Sequence, residues 1–297
     1  MSINFSECIT AFTSKKYNHS NLAIYLIILL TTLIVSKMLN SMFFDFIIIA
    51  VISIFAQGYY VIASHNEGCR AKDIIPNINN AMYIFETGFK FLTGVSTLYI
   101  IVFFPCIICF AYLLSQLIAI VIGGENSDSV SNLSDFGNVI FLFFIIFLSA
   151  IAGVIMSFKY IIPASLLFFD KLNLKDMLNY KKINEYGYLI KKDYWMYVLF
   201  SIIISIIIQT ATSAISPLIT SLFGFQNTMP QQMSTGISNA NQFSNLLFSN
   251  LGSITFVLLT STVITSIFTL LLMPNLNGQV IKNTKIYSKR QEKNIKV

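Results

Sequence analysis

The residues that could do chemistry are few. Cys106-Ile-Ile-Cys109 is a C-x-x-C directly after Pro105. In a redox fold that spacing makes a thiol–disulfide couple, because a neighbouring cation or helix end lowers one thiol pKa. Here the pair lies inside an apolar run with no adjacent base, so packing is the better reading and redox or soft-metal binding the alternative. Asp45 is the one acid placed within an apolar run. An acid held in lipid is costly and is a functional candidate by default, as a proton relay or transport group. Lys37 lies across a short turn, however, and an interfacial Asp45–Lys37 pair, or simple solvent exposure of the acid, would explain it without any activity. His65, Glu67 and Cys69 are close in sequence, but a zinc site needs about four ligands and no convincing fourth is visible. His19 stands alone. There is no G-x-x-x-x-G-K-[ST], no H-E-x-x-H and no G-x-S-x-G, so no phosphate-binding or hydrolytic motif is legible. No catalytic residue, metal ligand or cofactor is assigned, and the chain is not read as an enzyme.

The elements that must carry these residues are set by composition. Of 297 residues 55% are hydrophobic and only 11% charged, against about 25% charged in a soluble domain. Mean hydropathy is +0.72. Soluble globular, disordered and disulfide-stapled classes are excluded. The four cysteines, Cys8, Cys69, Cys106 and Cys109, suggest no disulfide framework. The fold expected is all-α: a polytopic membrane bundle of six spans, with two amphipathic surface helices.

A span needs about 20 apolar residues. Runs of that kind fall at about 22–38, 42–63, 92–121, 136–158, 194–216 and 251–273. The first is short enough to raise a signal peptide, but its polar leader and the lack of a small-x-small site argue against cleavage. Ile78, Met82, Phe85 and Phe89 recur at helical spacing, which predicts an amphipathic helix over 77–91 on the membrane surface. Pro105 should kink the third span or divide it into a re-entrant pair. Asn173, with Asp176 three residues on, is a helix N-cap pattern that predicts a short surface helix broken near Gly187. Tyr194, Trp195 and Tyr197 form an interfacial belt. Pro217 and Pro274 are expected to lie beyond the fifth and sixth spans. The stretch 225–250 has no charge, and 282–297 is a basic tail expected to hug an anionic leaflet without a fold of its own.

Charge sets the orientation. With six spans and cytoplasmic ends, all 19 lysines and arginines except Lys37 fall on the inner side, as the positive-inside rule requires. The net charge of +6 therefore reads as topology and not as nucleic-acid binding. The lipid bilayer is the expected partner, with a membrane or cytoplasmic protein as a further one. Asn132-Leu133-Ser134 is formally a glycosylation acceptor and is too common a pattern to carry weight.

Polar residues within the spans are the remaining candidates: Gln57, Gln116, Ser201, Ser205, Gln209, Thr262 and Ser266, beside Asp45. Ser201, Ser205, Gln209 and Ser213 recur every four residues, making one polar stripe on the fifth span. Thr255, Thr262, Ser266 and Thr269 make another on the sixth. Both stripes should face other helices, as a dry interface or as a hydrated conduit.

Gly58-Tyr59, Pro76, the Phe85-x-x-Gly88-x-Lys90 run, Tyr99 and Pro105 together resemble the membrane family called domain of unknown function 4013. Pro163-Ala164 and Asp193-Tyr194 are similar to its second half. The resemblance covers roughly Tyr25 to Ile207. The chain departs from it in the charge-poor loop after Pro217 and in Arg70 to Asp73, where more acid is expected. It implies an archaeal or bacterial membrane protein and no particular activity. The function expected is a non-catalytic scaffold or the membrane partner of another complex. A transporter or channel for a neutral or weakly polar solute is the alternative.

Overall fold

A computed structural model describes residues 3–10, 13, 19–39, 42–122, 133–222 and 240–295. The elements in order are α1 (Phe5–Thr10), α2 (His19–Leu39), α3 (Met42–Gly68), a 3-10 turn (Ile78–Asn80) and α4 (Ala81–Ile122). α5 (Leu133–Met156), a π-helical turn (Ser157–Ile161), α6 (Ile162–Lys171), α7 (Leu174–Met177) and α8 (Tyr180–Ile190) follow. α9 (Tyr194–Leu222) and α10 (Ala240–Ile295) are the last of the described elements. No strand occurs among the described residues. Among the described residues six helical stretches are long and apolar enough to cross a membrane: His19–Ser36, Phe43–Gly68, Ile78–Ser115, Ile140–Lys171, Tyr194–Leu222 and Thr255–Lys285.

The chain divides into two compact units, Met1–Leu92 with Leu189–Val297, and Thr93–Tyr188. In the first, α2 turns Tyr25, Leu29 and Leu33 inward, each 2% exposed or less. Those spacings put them on one helix face. They meet Ile52, Ala56, Tyr59 and Ile62 of α3 and Leu259, Val263 and Leu270 of α10. α3 and the start of α4 cross backbone to backbone. A Cβ at Gly88 would sit 1.9 Å from the Ile54 carbonyl oxygen, and one at Gly58 would sit 2.0 Å from that of Ile84. No side chain fits at either position, and the two glycines set how close the helices come.

This crossing changes the reading of 77–91. The segment is no separate surface helix: α4 runs 42 residues without a break, through Pro105. The face it buries is Ile84, Thr87, Gly88 and Phe91, while Met82 is 79% and Phe89 54% exposed. Lys90 pairs with Glu86 at 2.5 Å on the outside, so a charge within the helix is met locally and does not end it.

Proline misleads at two further points. Pro217 lies inside α9 and Pro274 inside α10. Helices of this apolar kind tolerate proline where neighbours re-satisfy the freed backbone groups. Beyond Pro274 the chain is helical to Ile295, and Asn275, Leu276, Asn277, Val280, Ile281, Asn283 and Thr284 are all buried. The start of the expected loose tail is thus part of the first unit's packing. The charge-free stretch 225–250 lies largely outside the described residues.

In the second unit, Gly94 of α4 faces Met177 and Leu174, and Gly153 of α5 faces the Phe103 ring. Helix continues past Lys159 through the π turn, which widens the ladder ahead of Pro163. Asn173 caps α7, its side chain accepting from the Lys175 N–H. The break in this surface region falls between α7 and α8, and Gly187 is passed within α8. The Tyr160 and Tyr180 rings meet at a tilt, with hydroxyls 3.3 Å apart. The Tyr180 hydroxyl titrates below the ordinary tyrosine value, held there first by the Tyr160 hydroxyl, then by Asn184 and the Lys159 charge.

Candidate functional site: buried polar ties at the two ends of α3

α3 carries buried polar side chains towards both of its ends. Near its start Asp45 is only 4% exposed. Its Oδ1 accepts from the Ser36 hydroxyl of α2 at 2.5 Å, and its Oδ2 accepts from the Thr255 hydroxyl of α10 at 3.1 Å. Ser36 and Thr255 are each 1% exposed. One carboxylate thereby joins three helices. A hydrogen bond to a charged group contributes about 1.5–3 kcal/mol, and a buried carboxylate without such donors would be strongly destabilising. The Lys37 side chain, the other partner the sequence suggested, lies outside the described residues.

The second cluster gathers where α3 ends. Asn277 of α10 is fully buried. Its Nδ2 donates to the Tyr60 hydroxyl at 2.7 Å and to Ser64 Oγ at 3.0 Å. Its Oδ1 accepts from the Tyr197 hydroxyl of α9 at 3.0 Å. One amide so joins three helices, with both its donors and its acceptor engaged. Gly278 beside it lets α10 approach, since a Cβ there would meet Glu67 Cγ at 2.4 Å. Along the same helix, Asn275 Nδ2 donates to Glu67 Oε1 at 3.4 Å and Asn283 Nδ2 donates to Asp193 Oδ2 at 2.8 Å. Gln279 donates to Asn275 at 2.7 Å and exchanges bonds with the Asn4 backbone. Lys285 Nζ lies 3.1 Å from Cys69 Sγ, which lies 3.6 Å from His65 Nε2. From Thr255 to Asn277 the helical rise is about 33 Å, close to the hydrocarbon thickness of a bilayer.

α9 and α10 exchange hydroxyl contacts through residues beside the two expected stripes, and of the stripe members Thr255 bonds to α3. Thr212 pairs with Thr265 at 3.2 Å and Ser216 with Ser261 at 3.1 Å. A cavity of about 400 Å3 lies along them, lined also by Gln209, Ser213 and Thr220. Ser205 is exposed, and Ser201, Thr262 and Ser266 donate to carbonyls of their own helices. Of the other candidates, Gln57 is half-buried and Cys106 and Cys109 are partly exposed free thiols in α4. Gln116 is helical, with its side chain outside the described residues. His65, Glu67 and Cys69 lie on the last turn of α3 and just past it; no group of three or more metal-ligating side chains forms among the described residues.

The cluster around Asn277 was not singled out in the sequence. A signal for its neighbours was present: Asn275, Gln279 and Asn283 recur every four residues, which puts three amides on one helix face, while Asn277 itself lies off that face. Pro274 made them look like linker.

No curated protein and no solved structure is significantly similar to the chain. A family model matches residues 41–216, a range that takes in α3 with Asp45 and ends within α9 at Ser216. The chain belongs to that family, described as Protein of unknown function (DUF4013).

Proposed function

We propose that the protein is a multi-pass integral membrane protein of a prokaryotic cell membrane, and that its bundle is a non-catalytic scaffold or the membrane partner of another complex. The observation that carries this reading is how Asp45 is used. The acid with the best claim to chemistry spends both oxygens on hydroxyls of two neighbouring helices. Asp193 is likewise buried and held by Asn283. The broad apolar exterior supports a lipid environment: Phe141, Phe144, Phe147, Ile151 and Ile155 of α5 are all exposed, a surface far beyond what a soluble monomer tolerates. The one-sided distribution of lysine and arginine supports cytoplasmic ends. A cytoplasm-active reporter fused after Glu185 is then expected to work, and one fused near Ser234, outside the described residues, to be silent. Activity at Ser234 would overturn the six-span arrangement.

The scaffold reading is tested with the full chain in sealed proteoliposomes carrying a pH-sensitive dye. Proton uptake under an imposed potential should match that of protein-free vesicles, for wild type and for Asp45→Asn alike. Uptake by wild type that Asp45→Asn abolishes would overturn it. The hydroxyl-lined cavity between α9 and α10 favours one second reading, passage of a neutral polar solute. Its mark would be swelling of wild-type proteoliposomes in a neutral polyol that bulky substitution at Ser216 abolishes.

A further inference from the structure

A second cavity lies where α2 begins, α3 ends and α4 begins, with a volume of about 340 Å3. Its polar lining includes Asn66, Asp73, Asn77, Asn80 and Tyr83. The loop that shapes it is pinned. Asn66 Nδ2 donates to the carbonyls of Asp73 at 3.3 Å and Ile74 at 3.1 Å, and Asn21 donates to the Ile75 carbonyl at 3.4 Å. Ile74 and Ile75 are buried beneath. Arg70 turns the chain in the left-handed region at φ 58°. The pocket is therefore built by residues that hold it open, not by a loose surface loop.

What remains uncommitted in that lining is chemically specific. With both bonds from Asn66 Nδ2 made, its Oδ1 is left to accept. Asn77 Oδ1 accepts from the Asn79 N–H at 2.9 Å, which leaves its Nδ2 to donate. The Asp73 carboxylate, the Asn80 amide and the Tyr83 hydroxyl make no hydrogen bond among the described residues. The lining thus offers both donors and acceptors, with a single negative charge. No lysine or arginine lines it among the described residues, so an anionic phosphate has no cation to meet. One tyrosine is no aromatic cage for a quaternary ammonium. Vicinal hydroxyls, each both donor and acceptor, fit amides and a carboxylate, and Tyr83 and Pro76 offer flat apolar surface to a C–H face. The volume is at the small end for ligand pockets, enough for one sugar-sized unit.

We propose that this cavity binds a neutral, polyhydroxylated ring, either a free sugar or the sugar headgroup of a glycolipid, with Asp73 as the principal hydroxyl acceptor. The lipid source rests on the membrane reading above; the free-sugar source does not, so the two fail separately. The site extends the scaffold reading by giving the bundle a ligand.

The test uses the full chain in phosphatidylcholine nanodiscs, so that no sugar detergent competes. Free D-glucose and D-galactose are probed by saturation-transfer NMR, and monoglucosyl diacylglycerol, incorporated in the disc, by native mass spectrometry. Asp73→Ala, Asn80→Ala and Tyr83→Ala remove exposed side chains, and Lys72→Ala, outside the lining, is the control. Saturation transfer to a free sugar, weakened roughly tenfold by Asp73→Ala as expected for a lost charged hydrogen bond, supports the site with a soluble ligand. Retention of the glycolipid alone, lost in Asp73→Ala and kept in Lys72→Ala, supports it with a lipid ligand. Binding of neither, binding that none of the three lining variants changes, or preferential retention of phosphatidylglycerol over the glycolipid would overturn it.

Discussion

The Thr255 hydroxyl of α10 donates to Asp45 of α3 at 3.1 Å, across 210 residues of chain. Ser36 holds the other carboxylate oxygen, and all three side chains are buried. The arrangement resolves the cost of an acid in apolar surroundings by local hydrogen bonding. It also makes α3 the helix to which α2 and α10 are both fastened at one end, as Asn277 fastens α9 and α10 to its other end.

Asn277→Leu should be among the more damaging single changes in α10. It would leave the buried Ser64 and Tyr197 hydroxyls without this partner, at about 1–3 kcal/mol for each group stranded. Tyr60→Phe, which removes one member and strands less, should cost about 1 kcal/mol. Thermal unfolding in nanodiscs measures both; a smaller loss for Asn277→Leu than for Tyr60→Phe would contradict the hub role.

Glycine substitutions should separate sharply. Gly88→Ala and Gly58→Ala place a Cβ against backbone at about 2 Å, so both should abolish a monodisperse folded species on size exclusion. Gly187→Ala, whose nearest neighbours are Pro163 atoms at 3.9 Å, should elute as wild type. Normal behaviour of Gly88→Ala would mean that α3 and α4 do not cross as described.

Cysteines at Thr212 and Thr265, whose hydroxyls are 3.2 Å apart, should crosslink under mild oxidation in a background lacking the native cysteines. A pair at Ser205 and Thr262 should not, because Ser205 is exposed and Thr262 bonds to its own helix. At Ser216, protection from a small water-soluble thiol reagent is expected of a dry interface. Labelling there would favour a hydrated path along α9.

The architecture was largely legible in the sequence because apolar runs of bilayer length need little else. Asp45 stood out as the lone acid in such a run. Its pairing did not: Ser36 looks like an ordinary hydroxyl, and Thr255 is legible only as a member of the α10 stripe until α10 is brought back onto α3. The face of α4 was misread for a physical reason. In a helix apolar all round, the periodicity of Ile78, Met82, Phe85 and Phe89 does not tell packed from exposed, and the small residues Gly58 and Gly88 do. Pro274 was read by the rule for soluble helices, where proline ends the ladder. That reading hid Asn277, and with it the better-connected of the two polar ties.

The central claim is that Asp45 is a structural tie between helices. A double-mutant cycle on Asp45→Ala and Thr255→Val, read as unfolding free energy in nanodiscs, measures it directly. Each single change should destabilise, and the pair should show a coupling of about 1–3 kcal/mol, the range for a hydrogen bond to a charged group. Full additivity, with coupling near zero, would contradict the account and release Asp45 for some other task.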